Sequence, residues 1–196
     1  MNFLAHFHLA WPEEGLIVGA LEGDYYKGPL RGDLPRAIED GVVLHRAIDA
    51  YTDQHDRVVA LRQALPPRLR RYAGILIDLS FDHCLARRWH DFSDVPQPEF
   101  NATVYTTLSA QDAQLSPAAR AMSQRLKDHD LLHRYGQWST VTAAAERIGE
   151  RFTRGNPFSD LDAELTPLLD DIERAFLDFY PDLQAYTRER IGALRD

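Results

Sequence analysis

Cysteine is nearly absent from this chain. The single one, Cys84, leaves no partner for an intrachain disulfide, so a reducing compartment, the cytoplasm, is the expected location. No apolar run approaches the roughly 20 residues that a membrane span requires. The opening MNFLAHFHLAWPEEG is apolar but carries two histidines and no basic residue, so no signal peptide is expected. A basic excess is also missing. The net charge is −8, which disfavours a general nucleic-acid binder, although a local basic patch could still meet an acidic partner. Alternating strand patterns are lacking. GxSxG, the Walker loop, HExxH and CxxC are absent too, which removes the common signatures of serine hydrolases, P-loop enzymes, zincins and thiol redox proteins.

What remains is a helical chain of 196 residues, 44% apolar and 27% charged. That length and composition suit one compact all-α domain over residues 1–196 with a substantial core. Helical periodicity predicts elements near residues 2–10, 15–23, 35–55, 56–64, 67–91, 98–109, 116–134, 137–153 and 160–179, with a last helix after Pro181. The loop YYKGPLRGDL separates the second from the third. Pro66-Pro67, Pro96 and Pro98 mark other breaks.

Two of these helices carry ionisable residues where apolar ones belong. From Pro35, the series Ile38, Val42, His45, Asp49, Thr52, Asp53 begins apolar and turns ionisable halfway along, with Leu44 and Ile48 beside it. His45 and Asp49 are i,i+4 neighbours and can converge on one point. In the helix from Pro67, Tyr72, Ile75, Leu76, Ile77, Leu79, Phe81, Leu85 and Trp89 cover most of the circumference. Such a helix is buried, yet Asp78 and Asp82 lie within its apolar surround and His83 follows. Buried carboxylates are costly alone and repel one another in company. A divalent cation relieves both costs, and carboxylate oxygen and imidazole nitrogen suit it as ligands. The competing structural reading pairs Asp78 or Asp82 with arginines such as Arg46.

The first-choice ligand pool is therefore His45, Asp49, Asp82 and His83. Asp24, at the end of a short helix, follows as a ligand or a water-positioning group. Asp78 and Asp53 stand as ligands or as partners that orient histidines. Of the N-terminal pair, only one of His6 and His8 can face a given point, and His6 is favoured. Lys27 and Arg46 are candidates for phosphate contact. His55 is placed as a possible cap on the site. His90, His129 and His133 sit in polar contexts and read as solvated, and Cys84 as core. Arg68, Arg70, Arg71, Arg87 and Arg88 bracket one segment and form the candidate docking patch.

The blocks MNFLAHFHLA, GALEGDYYKG, LHRAIDAYTDQH, RRYAGILIDLSFDHCLARRW and the late DFYPDLQAY, taken in order, resemble the acyl carrier protein phosphodiesterase family, also called acyl carrier protein hydrolases. The resemblance is dense in the first half and sparse in the second. That family is similar to the HD phosphohydrolases, which are helical and bind divalent metal through histidines and aspartates, so an HD-like bundle is implied. Here the adjacent pair runs Asp82-His83, the reverse of the usual order. The resemblance further implies manganese as the favoured ion, with magnesium or another divalent ion as substitutes. It implies hydrolysis of the phosphodiester linking 4′-phosphopantetheine to a serine of holo-acyl carrier protein, with apo-carrier and free 4′-phosphopantetheine as products. The carrier is strongly acidic, so docking requires a local basic surface on this chain. Two other readings remain open on the residues alone. One is an HD-type hydrolase of a nucleotide or other small phosphodiester. The other is a non-enzymatic helical binding protein whose buried acids are structural.

Overall fold

The computed structural model describes residues 1–153 and 155–195. In chain order the helices are α1 (Phe3–Ala10), α2 (Glu14–Glu22), α3 (Arg36–Gln54), α4 (Asp56–Ala64), α5 (Ala73–Arg87), α6 (Trp89–Phe92), α7 (Gln97–Ala110), α8 (Pro117–Asp128), α9 (Leu131–Arg134), α10 (Trp138–Gly149), α11 (Leu161–Leu165) and α12 (Leu169–Arg195). Among the described residues there is no strand, so the fold is all-α. One continuous core collects side chains from α1, α2, α3, α5, α7, α10 and α12.

The closest packing joins α2 to α3. A Cβ on Gly15 would stand 2.5 Å from Ala37 Cβ, one on Gly19 2.6 Å from Gly41 Cα, and one on Gly23 2.3 Å from His45 Cγ. Each contact pairs a residue with the one 22 positions later (37 − 15, 41 − 19, 45 − 23), so the two helices run parallel in one register. Glycine at every fourth position forms a stripe without side chains, and main chain meets main chain along it. The third contact presses the His45 ring against Gly23, next to Asp24.

Four expected elements differ in detail. The segment expected as one helix over 67–91 opens with a 3-10 turn at Arg70–Tyr72 and breaks at Arg88 into α5 and α6. The 116–134 segment is split by Asp130, whose φ is 45°; this left-handed residue interrupts the helical hydrogen bonds. The 160–179 segment is divided by a 3-10 turn at Thr166–Leu168, which contains Pro167. Pro181, expected to start a new helix, lies inside α12. Proline in a helix interior costs about 3 kcal/mol. Here Ile172, Phe176, Phe179, Tyr180, Leu183 and Thr187 form one buried stripe that passes through it. Burial of those large side chains outweighs the lost bond, and Pro181 itself sits on the exposed side.

Candidate metal centre

Helix α3 carries His45 and Asp49 one turn apart on the face covered by α1 and α2. Helix α1 brings His6 to the same point. His6 Nε2 is 3.1 Å from Asp49 Oδ1 and His45 Nε2 is 3.2 Å from Asp49 Oδ2. The two imidazoles stack with centroids 4.0 Å apart and planes 15° from parallel. One donor atom from each of His6, His45 and Asp49 falls within 4.8 Å of the others. Asp24, just beyond α2, puts Oδ1 3.9 Å from His45 Nε2. Both imidazoles are buried, whereas Asp24 and Asp49 are about four-tenths exposed, so the acids form the mouth and the histidines the floor.

Electrostatics keeps His6 uncharged. Burial, aided by the neighbouring His45, pushes His6 down to about 3, so it is a neutral imidazole at ordinary pH. Burial tends to raise Asp49, but hydrogen bonds from His45 and His6 overcome it and hold the carboxyl well below the usual carboxylate range. Burial raises Asp24, against the pull of His45. The donor set fits a divalent ion of intermediate hardness: two imidazole nitrogens with carboxylate oxygen. Among the described residues, the buried Nδ1 atoms of His6 and His45 have no hydrogen-bond partner.

The remaining sequence candidates separate into distinct places. Asp78 lies beside the cluster, where the α-amino group of Met1 sits 2.9 Å from its Oδ1 and 3.2 Å from Asp49 Oδ1. Burial raises the Asp78 carboxyl, partly offset by that ammonium. Asp82 is fully buried but does not join the cluster. Its Oδ2 and Oδ1 accept the main-chain N–H groups of Leu4 and Ala5 at 2.7 and 3.1 Å. These are first-turn donors of α1 that no helical carbonyl can satisfy, at the positive end of its dipole. Burial is the larger influence on Asp82 and pushes it up to about 7, against those two donors. His83 points elsewhere, 2.7 Å from the Tyr135 carbonyl oxygen. The side chains of Asp82 and His83 thus diverge, and the pair does not act as one unit. Asp53 is exposed and pairs with Arg62 at 3.0 Å on the surface.

Lys27 and Arg46 face the main chain of the loop after α2, where Lys27 Nζ donates to the Asp24 carbonyl and Arg46 to the Tyr26 carbonyl, at 2.6 and 2.8 Å. They hold the segment that presents Asp24. Among the described residues, neither Asp78 nor Asp82 pairs with an arginine. His8 turns away to Tyr180 Oη, 2.7 Å distant. His55 lies at the α3–α4 junction, 3.4 Å from Asp182. His90, His129 and His133 are exposed and Cys84 is buried, its thiol pushed by burial up to about 12.

The expected arginine patch does not assemble. Arg68, Arg70 and Arg71 precede α5, whereas Arg87 and Arg88 end it, and 15 helical residues put the two groups about 22 Å apart. Arg68 is paired with Glu164 and Arg88 with Glu173, while Arg70 donates to the Leu65 carbonyl and Arg71 lies over the Tyr72 ring.

Comparison with known proteins places this arrangement. The profile of the family described as acyl carrier protein phosphodiesterase matches residues 1–183. A protein of that name from Klebsiella pneumoniae (strain 342) is 32% identical over 184 residues, covering 93% of this chain and 95% of the relative. One from Enterobacter sp. (strain 638) is 28% identical, covering 97% and 99%. One from Salmonella agona (strain SL483) is 28% identical, covering 94% and 96%. No solved structure matches significantly. With a match to the family over most of its length, this chain belongs to the acyl carrier protein phosphodiesterase family.

Proposed function

We propose that the chain hydrolyses the phosphodiester of holo-acyl carrier protein, releasing 4′-phosphopantetheine and apo-carrier, with a divalent cation held by His6, His45 and Asp49. Asp24 stands beside them as a further ligand or a proton acceptor. Family membership supports the substrate. The convergence of two buried imidazoles on one carboxylate supports the metal, because these are donor types a divalent cation takes, and a cation among them would replace the ring protons shared with Asp49. Manganese is the ion we expect. When bound, such a cation supplies Lewis acidity toward a phosphoryl oxygen and lowers the pKa of water.

The chain's own residues supply the rest. His6 stays uncharged, and the two rings fix the floor by stacking. Asp49 lies against Nε2 of both rings and would share the ion with them. Asp24 faces solvent at the mouth, and burial strengthens its carboxylate as a base, so we assign it the proton of the attacking water. Lys27 and Arg46 keep the Asp24 loop in place from its main-chain side. Asp82 anchors the first turn of α1 and through it the height of His6. The histidine–aspartate chemistry on helices agrees with an HD-type origin, although the ligands we name do not include the adjacent Asp82-His83 pair.

The test is incubation with holo-acyl carrier protein and manganese, followed by intact-mass spectrometry. A carrier mass lower by about 340 Da, the phosphopantetheinyl group released by hydrolysis, is expected, and its absence at saturating metal refutes the reading. Equal or better turnover of small phosphodiesters would favour the alternative small-molecule hydrolase.

A further inference from the structure

Four arginines lie outside the elements first expected to dock a partner. Arg125 on α8, Arg134 on α9, and Arg147 and Arg151 on and just beyond α10 line one groove. Its floor is apolar: Phe3, Leu79, Met122, Leu131, Ala144 and Ile148. The α10 contribution is one helical face, with Thr140, Ala143, Ala144, Arg147, Ile148 and Arg151 spaced i, i+3, i+4, i+7, i+8 and i+11. All four arginines are exposed. Among the described residues none of their side chains makes an ion pair or a hydrogen bond within the chain. In a chain with 30 acidic residues against 22 basic ones, four neighbouring guanidinium groups without carboxylate partners call for an external anion.

The groove shares two helices with the metal centre and its neighbour Asp78. Asn2 and Phe3, which line it, lead into the helix that carries His6. Leu79, also in the lining, follows Asp78 on α5. Asn2 Nδ2 donates to the Tyr135 hydroxyl at 2.7 Å, tying the groove wall to the start of α1. The Tyr25 phenol, next to Asp24 in the chain, is near enough to Arg151 and Arg125 to feel their charge.

We infer that this groove is the carrier-docking surface, receiving an amphipathic acidic helix of the protein substrate whose apolar stripe lies on the floor and whose carboxylates meet Arg125, Arg134, Arg147 and Arg151. This rests on the functional reading above. A free phosphate would need only the cations. The apolar floor between them matches a helix with carboxylates flanking a hydrophobic stripe. Arginine is suited to the role because its planar fork holds carboxylates bidentately.

The test compares the full chain with the Arg134→Glu, Arg147→Glu and double variants, using manganese-loaded enzyme and holo-carrier. The double variant is expected to raise KM about tenfold while kcat holds within about twofold, and to flatten the salt dependence of kcat/KM. Apo-carrier, which lacks the phosphopantetheine arm, is expected to bind the wild-type chain and to lose at least about tenfold affinity for the double variant. An Arg174→Glu reversal on α12 controls for net charge. Unchanged KM in the groove variants, or a KM increase confined to Arg70→Glu/Arg71→Glu, overturns the inference. So does loss of holo- but not apo-carrier binding, which would assign the groove to the arm, or an RNA oligomer that binds as tightly as apo-carrier. If the wild type releases nothing from holo-carrier, the functional reading falls, and apo-carrier binding alone then decides the groove.

Discussion

His6 and His45 lie face to face with ring centroids 4.0 Å apart, and each directs Nε2 to a different oxygen of Asp49. Two imidazolium ions stacked at that distance would repel each other strongly. Burial sets His6 at about 3, below the ordinary histidine value of about 6.5. The His6 ring resonances of the metal-free protein are therefore expected to show no titration between about pH 7.5 and 5.5 by NMR. A midpoint near about 6.5, the behaviour of free histidine, would contradict this arrangement.

Asp49 is the hub, because both rings and the Met1 ammonium meet its carboxylate. Asp49→Asn keeps the shape but replaces one charged oxygen with an amide nitrogen. We expect manganese affinity and kcat/KM to fall about 100-fold. The melting temperature in EDTA should fall as well, because a carboxyl held below its ordinary value stabilises the fold, so both are measured on folded protein. Full activity in Asp49→Asn would remove the residue from the centre.

Asp82 should betray itself in the pH dependence of stability. Its folded pKa is raised to about 7 from about 3.9 in an unfolded chain. Between those values the unfolded state releases the proton first, so this group's stabilising share is present below about pH 3.9 and is lost as pH rises through 7. Asp82→Asn carries no such proton. Relative to the wild type it should gain stability between pH 4 and pH 8, measured by urea unfolding at each pH. A constant difference across that window would mean that the carboxyl is not shifted.

Gly19 sits where α2 and α3 touch main chain to main chain. A Cβ there would lie 2.2 Å from the Ile38 carbonyl oxygen, an atom that cannot rotate aside. Gly19→Ala is expected to destabilise the fold by about 1–3 kcal/mol, as overpacking does. Gly23→Ala meets the His45 ring instead, at 2.3 Å. It should reduce metal binding more than it reduces the melting temperature. Equal effects of the two variants on both readouts would argue against the distinction.

Most helices were legible because their apolar residues recur at helical spacing. The ends that moved did so for local reasons that periodicity does not carry: a left-handed Asp130, and a Pro181 that burial on the opposite face overrides. The candidate site was half legible. His45 and Asp49 announced themselves as ionisable residues continuing an apolar stripe one turn apart. Asp82 showed the same signature for another purpose, since a carboxylate buried to satisfy another helix's first-turn donors looks, in one dimension, like a ligand. His6 needed the packing of α1 on α3 to be placed. The Gly15, Gly19, Gly23 spacing was present in the sequence and signalled a close helix contact, but its partner stripe could be recognised only in three dimensions. The four groove arginines lie on three helices and beyond one of them, and only their unpaired state in space marks them out.

The parallel register of α2 and α3 has a mechanical corollary. Sliding α2 by one rung would advance it four residues, about 6 Å, and carry Asp24 past His45 to the level of Asp49. Intermediate positions would drive backbone against backbone. The acid at the mouth therefore occupies one of a few discrete stations, and its alignment with the imidazole floor withstands substitutions elsewhere in the molecule. This internal vernier keeps Asp24 and His45 at a constant pitch.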